Sequence, residues 1–217
     1  MLGKQMMELA RLKRARLAAL VVFFINGFGF ANWIVRIPTV QEELGLSEGS
    51  LGLALLALAG GALATMVFTG GVVQKLGSRP VVGVAGTVFG LSLVLPALAQ
   101  SLPALVVALL VAGAWHGALD VSMNAHAVAV ERDYRRPIMS SFHAAFSLGG
   151  LAGAAGGGLL SAYGVGLAPH LGGVAVVSAL ALAVSSRALL PRARIAGAKR
   201  RGRPSCGRTA RSRGSAS

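Results

Sequence analysis

Apolar residues run along this chain in six long stretches, at roughly 17–37, 50–73, 80–99, 104–129, 137–163 and 168–190. Each is about 20 residues or longer, enough for a helix to cross the hydrocarbon core of a bilayer. The breaks between them read IPTVQEELGLSEG, QKLGSR, QSLP, ERDYRR and GVGLAP, and they carry charges or turn-forming residues. This pattern predicts an all-α membrane protein with six transmembrane helices.

Composition supports the pattern. Of 217 residues, 54% are hydrophobic and only 13% charged, and the mean hydropathy is +0.69. A soluble domain carries about 25% charged residues. The net charge of +14 could suggest a nucleic-acid partner, but its location does not. Lys and Arg gather at the two ends and in the polar breaks, which fits membrane topology and predicts no nucleic-acid partner. The one cysteine, Cys206, has no second cysteine to pair with, so no disulfide, metal site or cofactor is expected. The stretch after Arg16 runs on to Ile34 without a small-x-small cleavage pattern, so it reads as a first span and not as a signal peptide.

Orientation follows from the cations. Twenty of the 21 Lys and Arg fall on one side of the six spans, and Arg36 alone falls on the other, with Glu42, Glu43 and Glu48. Both termini are therefore expected in the cytoplasm of a cell in which the chain sits in the plasma or inner membrane. Three regions result: a basic arm at 1–16, a six-span domain at 17–190 and a basic tail at 191–217. The tail holds nine Lys or Arg and no acid, a composition that predicts disorder against anionic lipid or out-of-frame translation. GGVVQKLG at 70–77 resembles GGLLSAYG at 157–164, three spans later. Spans 2 and 5 run oppositely, so the six helices are expected as two inverted three-helix repeats.

Polar groups inside the spans are the candidate chemistry. Asp120 lies within an apolar run, in WHGALDVSMNAHAV. A lone carboxylate there costs about 2.5–3.5 kcal/mol to insert, so it is expected to face a bundle interior and carry function. His116, Asp120 and Asn124 share one helical face by their i, i+4, i+8 spacing. At 1.5 Å per residue, Asp120 lies about 16 Å from the cytoplasmic face, with Asn26 and Ser147 at roughly 14–15 Å. Asn124 and His143 lie at about 9–10 Å. Matching depths on three spans fit a central solute cavity. Asp120 is assigned proton coupling, and Asn26, Asn124, His143, His116, Ser147 and Trp33 are assigned to the solute. Each polar group has the alternative of a helix–helix hydrogen bond. His126 points away from the Asp120 stripe and reads as interfacial. Arg36 reads as a fixed anchor, with Asn32 one turn away. Gly149, Gly153 and Gly157 form small-xxx-small steps for close packing, and Gly27 and Gly29 serve packing or bending.

These residues resemble the major facilitator superfamily, in its N-terminal six-helix half. GGVVQKLGSRP is similar to that family's Gly-x-x-x-Asp-Arg-x-Gly-Arg-Arg loop at Gly70, Lys75, Gly77 and Arg79, with Gln74 in the aspartate position. The resemblance implies a gating loop there. LDVSMN at 119–124 and SSFHAAFSLGG at 140–150 resemble the fucose:proton symporter branch, which implies a proton site at Asp120 and substrate contacts at Asn124 and His143. Span 5 is similar to the drug antiporter signature but has Ala154 in place of its proline. The resemblance covers about 17–190. It implies a secondary transporter taking up a small polar solute such as a sugar with a proton, and not an enzyme. Its members have twelve spans, so one half is expected to need a second half or another copy of itself. The alternatives are an orphan half without transport and a membrane-embedded enzyme. For the enzyme, Ser140, Ser141 and Ser147 lack a Gly-x-Ser-Gly setting.

Overall fold

A computed structural model describes residues 2–191 as an all-helical bundle. The helices are α1 (Leu2–Ile34), α2 (Ile37–Glu43), α3 (Glu48–Leu76), α4 (Ser78–Ser92), α5 (Leu95–Leu98), α6 (Leu102–Tyr134), α7 (Met139–Ala162) and α8 (Leu167–Arg187). Grouped across short breaks they make six candidate spans among the described residues, matching the six apolar stretches. The basic tail and Cys206 lie outside the described residues, apart from Pro191.

Boundaries differ from the apolar pattern in four places. The basic arm is not a separate element, because α1 is helical from Leu2 and its 33 residues give about 50 Å of rod. Span 3 breaks at Leu93 and Val94, ahead of Pro96, whose ring cannot continue a helix. The break QKLGSR shrinks to one residue. Gly70, Gln74 and Lys75 belong to α3, Arg79 to α4, and Gly77 alone turns the chain with φ 88. Finally, α6 runs through ERDY to Tyr134, where Arg135 closes it in the left-handed region at φ 54. Glu131, still helical, reaches forward to the next helix. Its Oε2 accepts from the main-chain nitrogens of Ile138 and Met139 at 2.7 and 2.6 Å, satisfying donors that α7 cannot satisfy itself.

Glycines set the packing. A β-carbon on Gly149 would meet the Phe24 carbonyl, one on Gly153 the Phe28 carbonyl, and one on Gly157 the Asn32 and Val35 side chains. The partners rise together, so α1 and α7 run parallel in backbone contact. The same arrangement joins α3 to α6. Gly113 and Gly117 press on the carbonyls of Leu58 and Ala62, and Gly61 presses on that of Leu110. Thr65 adds a hydrogen bond from its hydroxyl to the Ala114 carbonyl at 2.7 Å. In contrast α4 and α8 are antiparallel, with Gly83 facing Ser186, Gly86 facing Leu182 and Gly90 facing Ala179. α3 and α7 lie at the flanks, leaving Leu56, Val67, Phe68, Leu148 and Leu151 uncovered. In lipid such surface is matched to its solvent.

Candidate functional site

Asp120 sits in the middle of α6, partly buried, on the turn that follows the Gly113–Gly117 contact with α3. One turn on, Asn124 donates its amide hydrogens to the Asp120 carbonyl at 2.9 Å and to Asp120 Oδ1 at 3.2 Å. No cation pairs with this carboxylate among the described residues. The i, i+4 spacing thus yields a carboxyl–carboxamide pair with acceptor capacity to spare.

His116, one turn before Asp120, faces a different environment. Its ring stacks on Phe30 at 4.8 Å and tilts against Phe89 at 5.0 Å. Trp33, Leu58, Leu93, Pro96, Leu109 and Ala112 complete a tight apolar pocket around it. Trp33 is buried there, and His116 Nε2 is buried without a hydrogen-bond partner. The structure therefore brings Trp33 and His116 together, in an aromatic nest where α1, α4 and α6 meet.

Asn26 is 0% exposed, pressed between α1 and α6, where its amide donates to Met123 Sδ at 3.5 Å. Its Oδ1 is buried without a partner. No hydrogen bond joins it to Asp120 or Asn124. His143 and Ser147 are exposed on α7, and the His143 ring meets Phe23 edge-on at 5.7 Å. Gln74 and Lys75 are exposed, and Arg79 is half-buried beside the Gly77 turn. A cavity of about 690 Å³ opens at the basic end, between Glu8, Arg11, Arg132, Asp133 and Arg135, far along α6 from Asp120.

Two polar clusters were not assigned from the sequence. His126 is 1% exposed, which corrects the expectation that it is interfacial. Its Nδ1 bonds Ser78 Oγ at the start of α4 at 2.9 Å, and its Nε2 accepts from the Leu190 main chain at 3.3 Å. The helical period turns it about 120° from Asp120, and the packing of α1, α4 and the segment after α8 against that face buries it. At the other end Arg36, read as an anchor with Asn32 nearby, is buried and bonded to α7 and α8. His170 completes that cluster; its position near the start of span 6 gave no signal by itself.

The model of the Major Facilitator Superfamily matches residues 19–213. This chain belongs to the major facilitator superfamily. It is similar to an uncharacterized MFS-type transporter of Yersinia pestis, 42% identical over 149 residues, which are 69% of this chain and 38% of that protein. It is also similar to an uncharacterized transporter of Sinorhizobium fredii, 38% identical over 62% of this chain and 36% of that protein. With the membrane protein MosC of Rhizobium meliloti it shares 36% identity over 60% of this chain and 32% of that one. The matched segment thus spans about a third of each relative's length. This facilitator chain is a multi-pass membrane protein of a transporter family, with the all-helical, six-span architecture that its apolar pattern predicts.

Proposed function

We propose that this chain is one half of a secondary transporter that moves a small polar solute, such as a sugar, together with a proton. The observation that carries the reading is the Asp120–Asn124 pair: a midspan carboxylate, partly open, held by a carboxamide and by no cation. A group that gains and loses a proton as its surroundings change suits coupling, and an adjacent amide suits a hydroxylated solute. His143 and Ser147 on the exposed face of α7 would extend the solute contacts. Asn26, His116 and Trp33, packed away in this conformation, would reach solute only after the helices shift. Gly77 and Arg79, with Gln74, Lys75 and Gly70, would form the gate at the basic end.

The two-repeat reading has independent support. The contact of Gly27 with the Phe146 carbonyl has a counterpart in that of Gly113 with Leu58, and Gly149 on Phe24 has one in Gly61 on Leu110. Gly27 and Gly113 are 86 residues apart, and Gly61 and Gly149 are 88 apart. Exchanging spans 1 with 4 and 2 with 5 maps one pair onto the other, as two inverted three-helix units require. The cation bias supports cytoplasmic termini in an inner or plasma membrane. A second half, or another copy, would supply the opposite wall.

The test is uptake driven by a pH gradient in cells carrying this chain with a second six-helix half, or carrying an intact relative. Replacing the carboxylate by Asp120→Asn should leave solute exchange down its own gradient and abolish accumulation by the proton gradient. Undiminished accumulation would remove Asp120 from the mechanism. Absence of all uptake in the paired wild type would favour the orphan half.

A further inference from the structure

Arg36 is a buried guanidinium with no carboxylate near it. It is 3% exposed at the turn between α1 and α2, and the one ion pair recorded among the described residues joins Arg132 to Asp133 instead. A buried charge left without compensation is expensive, and ionised groups held in a spanning bundle usually mark function. Compensation here is entirely dipolar. The Arg36 Nη1 donates to Ser161 Oγ in the last turn of α7 at 3.0 Å, and Nη2 donates to the Val165 carbonyl just beyond it. Both acceptors lie at the negative end of the α7 helix. The third anchor is an imidazole: Arg36 Nε donates to His170 Nδ1 at 2.8 Å.

That bond fixes the state of His170. An Nδ1 that accepts from a guanidinium carries no hydrogen, so the proton must reside on Nε2. Nε2 accordingly donates to Asn32 Oδ1 at 2.8 Å, and Asn32 in turn donates to the Phe28 carbonyl at 2.8 Å. The run from Arg36 through His170 and Asn32 to the α1 backbone is a single chain of donors, each dependent on the next. It ties α1, α7 and α8 at the end of the bundle opposite the basic arm.

We propose that this cluster is a proton-released clasp: protonating His170 opens the contact among α1, α7 and α8. The protonated ring is a donor at both nitrogens, so Arg36 loses its acceptor and two cations stand 2.8 Å apart. No acid can step in. α1 and α2 present Arg36 and Asn32 to the ring, and α7 presents Ser161 and Gly157. The only charged group of α4 and α5 is Arg79, at the basic end, and α2's Glu42 and Glu43 are exposed and share no bond with the cluster. The inference does not rest on Asp120 or on transport; it would give the far end of the bundle its own response to pH.

Hydrogen exchange of the whole chain in lipid nanodiscs tests it. The amides of Tyr163, Gly164 and Val165 bond back to Leu159, Ser161 and Leu160, and report on the end of α7. Between about pH 8 and 5, after correction for intrinsic exchange, their protection should fall roughly tenfold per pH unit once the pH drops below about 6.5, the value of a released imidazole, because only the neutral ring closes the clasp. Amides of α4 near Gly86 should show no such fall. In His170→Gln, whose side-chain oxygen accepts from Arg36 without titrating, protection should be independent of pH. Protection independent of pH in the wild type, or an unchanged fall in His170→Gln, would overturn the clasp. If His170→Gln misfolds, imidazole nitrogen shifts of the wild-type ring decide: a ring that becomes protonated while Tyr163, Gly164 and Val165 stay protected overturns it.

Discussion

Gly149 of α7 lies so close to the main-chain carbonyl of Phe24 in α1 that a β-carbon would occupy the carbonyl's place. The neighbour is backbone within a long helix and cannot swing aside. Gly149→Ala should therefore push α7 off α1 and destabilise the bundle by about 1–3 kcal/mol. Gly156 on the same helix has open space where its β-carbon would go. Gly156→Ala should change stability by no more than about 0.5 kcal/mol. Thermal unfolding midpoints of the two variants in one detergent provide the comparison. Equal midpoints would mean that the helices do not touch there.

Glu131 acts as a cap on a helix to which it does not belong. Its carboxylate accepts two main-chain hydrogens at the start of α7, where Ile138 offers no side-chain acceptor. Such charge-assisted bonds contribute about 1.5–3 kcal/mol. Glu131→Ala should lower the unfolding midpoint and speed amide exchange at 139–142 while leaving α6 protected. Glu131→Gln, which keeps an acceptor but not the charge at the positive helix end, should fall between. Exchange at 139–142 that is unchanged in Glu131→Ala would show that the cap is not used.

The number of spans and the α7 glycine stripe were legible because each is a one-dimensional pattern. Apolar length sets the spans, and small residues every fourth position set a flat helix face. The partner of a face is not one-dimensional. Nothing near Gly113 and Gly117 says that Leu58 and Ala62 will press on them, and that contact determines which side of α6 remains open beside Asp120. His126 failed as a sequence inference for the same reason, since period alone cannot tell a lipid-facing side from one covered by α4. Arg36 was visible as an isolated cation, but its compensation comes from an imidazole 134 residues away. Glu131 was hidden because ERDYRR reads as a break, whereas α6 stays helical for most of it.

Gly77 carries the whole connection between α3 and α4 at φ 88 and ψ 156, a region that glycine alone adopts readily. Gly77→Ala should cost about 1–3 kcal/mol from the backbone alone. It should act mainly on the α3–α4 corner, because the β-carbon cannot be accommodated by rotating one residue in a one-residue turn. Limited proteolysis at 74–79 measures this directly. Cleavage there that is no faster than in the wild type, with unchanged unfolding, would mean that the corner relaxes into another turn.

Asn26 separates a structural from a functional role for a buried amide. Its Nδ2 has only a thioether acceptor at 3.5 Å, and its Oδ1 has none. Removing a polar group whose bonds are this poor forfeits little, because the desolvation cost goes with it. Asn26→Ala should thus remain within about 1 kcal/mol of the wild type, the residual loss reflecting the small void. A loss well above that would mean the amide is tied down by a bond that static packing does not show. If stability holds while uptake by the paired or intact transporter falls at least tenfold, the amide is being used in a conformation where α1 and α6 have parted. If both hold, Asn26 is a helix–helix residue and leaves the solute site to Asp120, Asn124 and the exposed face of α7.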